Sequence, residues 1–232
     1  MTQFVVCFST TDMQTWTDHG VILKPTDFEW CEGEAWASQV VKHNGKYWYF
    51  VSCQSKTPCY GKAVGVAVSD SPTGPFIDCG HPIITDADRP SDAKGGQAID
   101  VDVFTDPKTS KHYLYWGNCF MAGAELNDDM MSIKKETITD LTPKGGTLET
   151  WSYREAPYVF FRKGTYYFLW SVDDTGSPNY HVCYATSKSP TEGFEYNSYN
   201  NIKRLSDSEL EALWESYFKD RTSKRLRDQL IV

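Results

Sequence analysis

The strongest constraint on this chain is an internal repeat. Three segments follow one plan. The first is Trp36-Ala37-Ser38-Gln39-Val40-Val41, a turn at Asn44-Gly45-Lys46, then Tyr47-Trp48-Tyr49-Phe50-Val51-Ser52. The second is Asp100-Val101-Asp102-Val103-Phe104, a polar turn through Asp106-Pro107-Lys108, then Tyr113-Leu114-Tyr115-Trp116-Gly117. The third is Glu155-Ala156-Pro157-Tyr158-Val159-Phe160, a turn at Lys163-Gly164, then Tyr166-Tyr167-Phe168-Leu169-Trp170-Ser171. Each reads as strand, tight turn, aromatic strand. The spacing is kept as well: nine residues separate Trp36 from Gly45, and nine separate Glu155 from Gly164.

A third strand and its turn also recur. Val64 to Phe76 matches His181 to Phe194, and the two Ser-Pro-Thr steps begin at Ser71 and Ser189, 118 residues apart. The segment from Phe4 to Trp16, with Ser9-Thr10-Thr11-Asp12, fits the same third strand of a preceding unit. Repeated units of short antiparallel strands predict an all-β chain, a β-propeller with one partial and three fuller blades. A β-sandwich in which similar turns recur is the rival. Aromatic residues make up 15% of the chain, which suits strands and also surfaces that stack on sugar rings. The propeller domain is expected over residues 1–200. Residues 201–232 form a helical tail outside it: Ser206-Asp207-Ser208-Glu209 is a capping-box string, and Leu210, Leu213, Trp214, Tyr217 and Phe218 follow at helical spacing.

The remaining bulk properties narrow the function. The chain has 232 residues and a net charge of −8, which argues against a nucleic-acid partner. No apolar run is long enough for a membrane span, and the first residues, Met1 to Phe8, do not read as a signal peptide. The compartment stays undetermined. Seven cysteines without a C-x-x-C pair argue against a disulfide framework and against a zinc site. None of the five histidines pairs with another at metal-ligand spacing. No metal site and no required cofactor are expected, and a structural calcium ion is left open.

In a propeller the inner strands of the blades surround one axis and their first residues share one mouth. By the repeat those residues are Trp36, Asp100 and Glu155. Two carboxyls on different blades facing one cavity are what glycosidic cleavage needs. One protonates the leaving oxygen, and a neighbouring negative charge helps it to keep its proton. Asp100 and Asp102 alternate on one strand, so they share a face, and Val101 and Val103 share the other. Trp36, Asp102 and Trp116 are the candidate substrate-binding residues, although Trp36 reads equally well as core. Asp106 before Pro107 is a turn former.

Several of these strings, in order, resemble glycoside hydrolase family 43: Ser9-Thr10-Thr11-Asp12-Met13 through Trp16-Thr17-Asp18-His19-Gly20, Trp36-Ala37, Val66 to Phe76, Ile99 to Phe104, and Glu155-Ala156-Pro157-Tyr158. The likeness covers about residues 4 to 197. It implies a five-bladed propeller, incomplete here at about three to four blades. The implied activity is inverting hydrolysis of O-glycosidic bonds in arabinose- or xylose-containing plant polysaccharides or oligosaccharides, with a carbohydrate as partner. The family includes β-xylosidases, α-L-arabinofuranosidases and endo-arabinanases. By the resemblance Glu155 matches the general acid, and Asp100 the aspartate that modulates its ionisation and orients it. Val101 and Ser38 stand where the family usually has proline. The family's general base, an aspartate on the first blade's innermost strand, is expected upstream of Phe4. The resemblance therefore implies a copy truncated at both ends and lacking the base. A non-catalytic carbohydrate-binding remnant is the alternative. Leu205 to Val232 resembles the start of a flagellar-type RNA polymerase sigma factor, through Leu213-Trp214 and Leu226 to Ile231, which adds a chimeric reading frame or a transcription-related role as further expectations.

Overall fold

The computed structural model describes residues 4–56, 61–91, 93 and 95–196. Its strands fall into four antiparallel sheets, each made of strands consecutive in sequence. β1 (Val5–Ser9) pairs with β2 (Thr17–Leu23). The second sheet runs β3 (Cys31–His43), β4 (Lys46–Ser55), β5 (Gly61–Ser69) and β6 (Ile77–Asp78). The third runs β7 (Asp102–Thr105), β8 (His112–Trp116), β9 (Ala122–Leu126) and β10 (Thr139–Asp140). The fourth runs β11 (Tyr153–Arg162), β12 (Thr165–Val172), β13 (His181–Ser187) and β14 (Glu195–Tyr196). Three four-stranded blades and the outer half of another are the propeller units that the repeat predicts. The expected helical tail and the sigma-factor likeness lie outside the described residues. No helix among the described residues is long and apolar enough to cross a membrane.

The hairpin turns follow from their residues. Asn44 and Gly45 take φ of 50° and 77°, and Lys163 and Gly164 take 47° and 81°. Two successive left-handed residues make the turn whose twist matches that of the paired strands. The register is thereby fixed: His43 faces Lys46, and Arg162 faces Thr165.

The unbroken aromatic strings are explained by burial on both faces. On β4, Trp48 and Phe50 pack toward the third sheet, against Leu114 and Trp116 of β8. The alternate residues Tyr49, Val51 and Cys53 pack the other way, with Leu23 at the end of β2. On β8, Tyr113 and Tyr115 face Tyr166, Phe168 and Trp170 of β12. Period-two alternation thus feeds two cores from each strand, so neither face has to be polar. Each large side chain so buried contributes roughly 1.5–3 kcal/mol. The two terminal sheets differ. Val6, Phe8 and Val21 are exposed at one end of the stack, and Val182 and Tyr184 at the other.

Candidate active site

The inner strands β3, β7 and β11 are laced together side by side. Gln39 of β3 donates from Nε2 to Asp102 Oδ1 of β7 at 2.8 Å, and its Oε1 accepts the Val103 N–H. Asp102 Oδ2 accepts the Val159 N–H of β11 at 2.8 Å. Asp102 is 4% exposed, and burial pushes its carboxyl up to about 7 against the pull of these bonds. It is a strut between three blades with both oxygens engaged, and the placement expected for it, facing a sugar, is not what the structure shows.

Toward the mouth each inner strand carries a bulge. β3 slips register between Trp36 and Gln39, and β11 between Glu155 and Tyr158. The extra residue sits in the left-handed region: Ala37 at φ 33°, Asp100 at 59° and Ala156 at 59°. Trp36 pairs with Ser52, Glu155 with Ser171, and Ile99 accepts from the Gly117 N–H. Asp100 is therefore level with Ala37 and Ala156, one residue past Trp36 and Glu155. The sequence repeat had set Asp100 level with Glu155, because carboxylates were matched where strand pairing matches neighbours. A bulge re-aims a side chain, and here it breaks the alternation that would put Asp100 and Asp102 on one face.

The bulge brings Asp100 to Glu155. Asp100 Oδ2 accepts the Ala156 N–H at 3.0 Å, and its own N–H donates to Ser52 Oγ at 3.1 Å. Burial, and in smaller part the Glu155 charge, raise the Asp100 carboxyl to about 6, against the bond from Ala156. Glu155 is half-buried, and its Oε2 accepts from Asn118 Nδ2 at 2.7 Å. Asn118 is itself 8% exposed and held by a backbone bridge to Gln97. Tyr153, buried two residues before Glu155, donates from its OH to Gly117 O at 2.8 Å, next to Asn118.

The two tryptophans part company. Trp36 is 36% exposed, with Lys62 Nζ 3.5 Å from its ring centroid. The Lys62 side chain is 3% exposed and pairs with Glu34. Trp116 is wholly buried between two blades. Its expected role in touching a substrate is corrected: its string of aromatics is core, and the ring is fully buried.

Sequence reasoning missed Asn118, Gln39, Ser52 and Lys62. Asn118 left one trace. By strand pairing its counterparts in the other blades are Cys53 and Val172, both buried and apolar, so an amide there departs from the repeat. Among the described residues no group of three or more His, Cys, Asp or Glu could hold a metal ion, so the calcium ion left open by the sequence finds no such ligand set here. His43 and His112 do meet, edge to face with centroids 4.3 Å apart, and His112 is buried.

Comparison with known proteins gives a consistent set of likenesses. The family model described as "Glycosyl hydrolases family 43" matches residues 2–215. A β-D-galactofuranosidase of Aspergillus niger is 33% identical over 203 residues, covering 82% of this chain and 55% of that protein. A xylosidase/arabinosidase of Bacteroides ovatus is 28% identical over 212 residues, covering 77% of this chain and 60% of that protein. The solved structure of an α-L-arabinofuranosidase from Clostridium thermocellum superposes with a TM-score of 0.68 at 29% identity, over 83% of this chain and 60% of that one. A β-xylosidase/α-arabinofuranosidase from a compost metagenome, solved in complex with xylotriose in a calcium-free form, gives 0.68 at 26% identity, over 84% and 66%. The chain thus spans a little over half the length of the first two of these relatives.

Proposed function

This chain belongs to glycosyl hydrolase family 43, and on that premise we propose that it carries the acid half of an inverting glycosidase. The substrate is an arabinose- or xylose-containing polysaccharide or its oligosaccharides, the class printed in the names of several relatives. One observation carries the reading: Asp100 and Glu155, from adjacent blades, are brought together at the mouth, with Asn118 fastening Glu155 by one oxygen.

Glu155 is the general acid. Asn118 occupies Oε2, which leaves Oε1 to carry the proton toward the glycosidic oxygen. As the C–O bond breaks, that proton passes to the departing oxygen, and Glu155 is left as a carboxylate beside Asp100. Asp100 fixes the backbone at Ala156, so it orients the acid's strand as well as interacting with its charge. Half-exposed Trp36 supplies a flat face for the sugar ring, and Lys62 over its other side holds the indole in place.

An inverting mechanism also requires a base about 6.5–9.5 Å from the acid, across a water. Two of the described carboxylates near the inner strands are engaged elsewhere: Asp102 with Gln39 and Val159, and Glu34 with Lys62. We place the base outside the described residues. If that base belongs to a flanking blade, the 232-residue chain by itself is expected to hydrolyse aryl arabinofuranosides and xylosides little or not at all. Joined to the flanking blades of the Bacteroides ovatus relative, it should turn over both.

In that joined protein Glu155→Ala should cost about 10²–10⁴-fold on aryl glycosides with poor leaving groups. On dinitrophenyl glycosides, which need no proton, it should cost far less. Equal losses on both would remove Glu155 from the acid's role. Sugar binding without turnover in the joined protein would favour the non-catalytic carbohydrate-binding reading.

A further inference from the structure

One lysine stands in a core position. On β5, Val64 and Val66 belong to the core shared with the third sheet. Period-two alternation puts Lys62, two residues before Val64, on that same face. Its side chain is 3% exposed, and a lysine buried so deeply needs its charge compensated. Two groups supply this, and both come from β3, on the far side of β4. The Glu34 carboxylate pairs with Lys62 Nζ. The Trp36 ring centroid lies 3.5 Å from the same nitrogen. A cation over an indole face is attracted by the ring's quadrupole, most strongly where water is excluded.

The backbone is bent at Glu34. It lies in the left-handed region at φ 57°, within the register slip between Gly33 and Trp36. That conformation is costly for a residue with a Cβ, and such strain gathers at functional sites. The carboxylate is 54% exposed, so the lysine beneath it is its anchor. Trp36 in turn pairs with Ser52, whose Oγ accepts the Asp100 N–H at 3.1 Å. The strand that carries the ring is thereby tied to the strand that carries Asp100. The order of dependence follows from burial. Without the Glu34 carboxylate, the Lys62 ammonium must turn to water, and the indole loses its cation.

We propose that Glu34 is a positioning residue: through the Lys62 ammonium it fixes the plane of the Trp36 ring on which the sugar stacks. The assignment rests on the reading of Trp36 as the sugar's flat face, and it gives Glu34 a task other than that of general base. The test uses the intact 232-residue chain labelled with 5-fluorotryptophan, with xylotriose as the sugar probe. The ¹⁹F resonance of Trp36, identified by its loss in Trp36→Phe, should shift or broaden in Glu34→Ala and in Lys62→Met. Calorimetry should show xylotriose binding weakened about five- to tenfold in either variant. The two combined should be no worse than one, because they act in series. In a Trp36→Ala background, Glu34→Ala should change nothing. Glu34 is exposed, so Glu34→Ala keeps the test valid where Lys62→Met disturbs the core. A Trp36 resonance unmoved in Glu34→Ala would overturn the proposal even if no sugar binds, since that readout needs none. An effect of Glu34→Ala on binding that persists in Trp36→Ala would overturn it too, because Glu34 would then act on the sugar without the ring. Binding indifferent to Trp36→Ala would overturn the reading of the ring itself, and the proposal with it.

Discussion

Asp100 and Asp102 stand two residues apart and do different work, because one sits in a bulge and the other in a strand. Both carboxyls are raised by burial, to about 6 and about 7 from an ordinary 3.8. Between the ordinary and the raised value the folded state binds more protons than the unfolded, so stability falls as pH rises. Their contribution is fully present below about pH 4 and is lost as pH passes 6 and then 7. His112, whose buried imidazole is held below its ordinary value, imposes the opposite slope, so the comparison must be made against a variant. Urea denaturation from pH 4 to 8 should show a smaller decline with pH in Asp102→Asn than in the parent. Asp102→Ala, which leaves Gln39 Nε2 and the Val159 N–H without their partner, should cost about 2–4 kcal/mol. An unchanged pH dependence in Asp102→Asn would remove the strut. Asp100 and Glu155 were legible as a pair of acids within an ordered set of strings. Asp102 was misplaced because a regular strand drawn through both aspartates puts them on one face, and no residue type marks Asp100 as left-handed. Trp116 was misplaced for a simpler reason: an aromatic strand looks the same whether its rings face a sugar or another blade.

At the scale of elements, hairpins were legible and blade edges were not. Asn-Gly and Lys-Gly announce their turns, but β6, β10 and β14 have two residues each, too few for any periodicity to register. The bulges were also invisible, since they depend on the pairing partner. The segment before β7 shows how tightly such an element is set. Gly96 has φ 92°, and a Cβ there would lie 1.9 Å from the Asn118 carbonyl oxygen. Gly96→Ala must therefore displace the Asn118 backbone, and with it the side chain that bonds Glu155. The variant should be destabilised by roughly 1–3 kcal/mol, and in the joined protein it should lose activity on poor leaving groups more than on dinitrophenyl glycosides. A loss equal for both substrates would mean that the turn holds the fold and does not position the acid.

Across the whole molecule, the stacking of sheets is what turns isolated carboxylates into a site. The three cores lie between blades, so each inner strand is positioned by the pair of sheets it separates, and the Gln39–Asp102–Val159 lacing sets the blades' relative height. Asp100 and Glu155 belong to different blades and meet only if that packing is right. The repeat foretold the number of blades but not this offset, because packing between sheets leaves no local signature. Their coupling is the central claim, and the ¹³C NMR titration of the Asp100 side-chain carboxyl in the intact chain measures it most directly. Asp100 is expected to titrate near 6 and to move down in Glu155→Gln, where the neighbouring negative charge is gone. Titration near 3.8, indifferent to Glu155→Gln, would contradict the account.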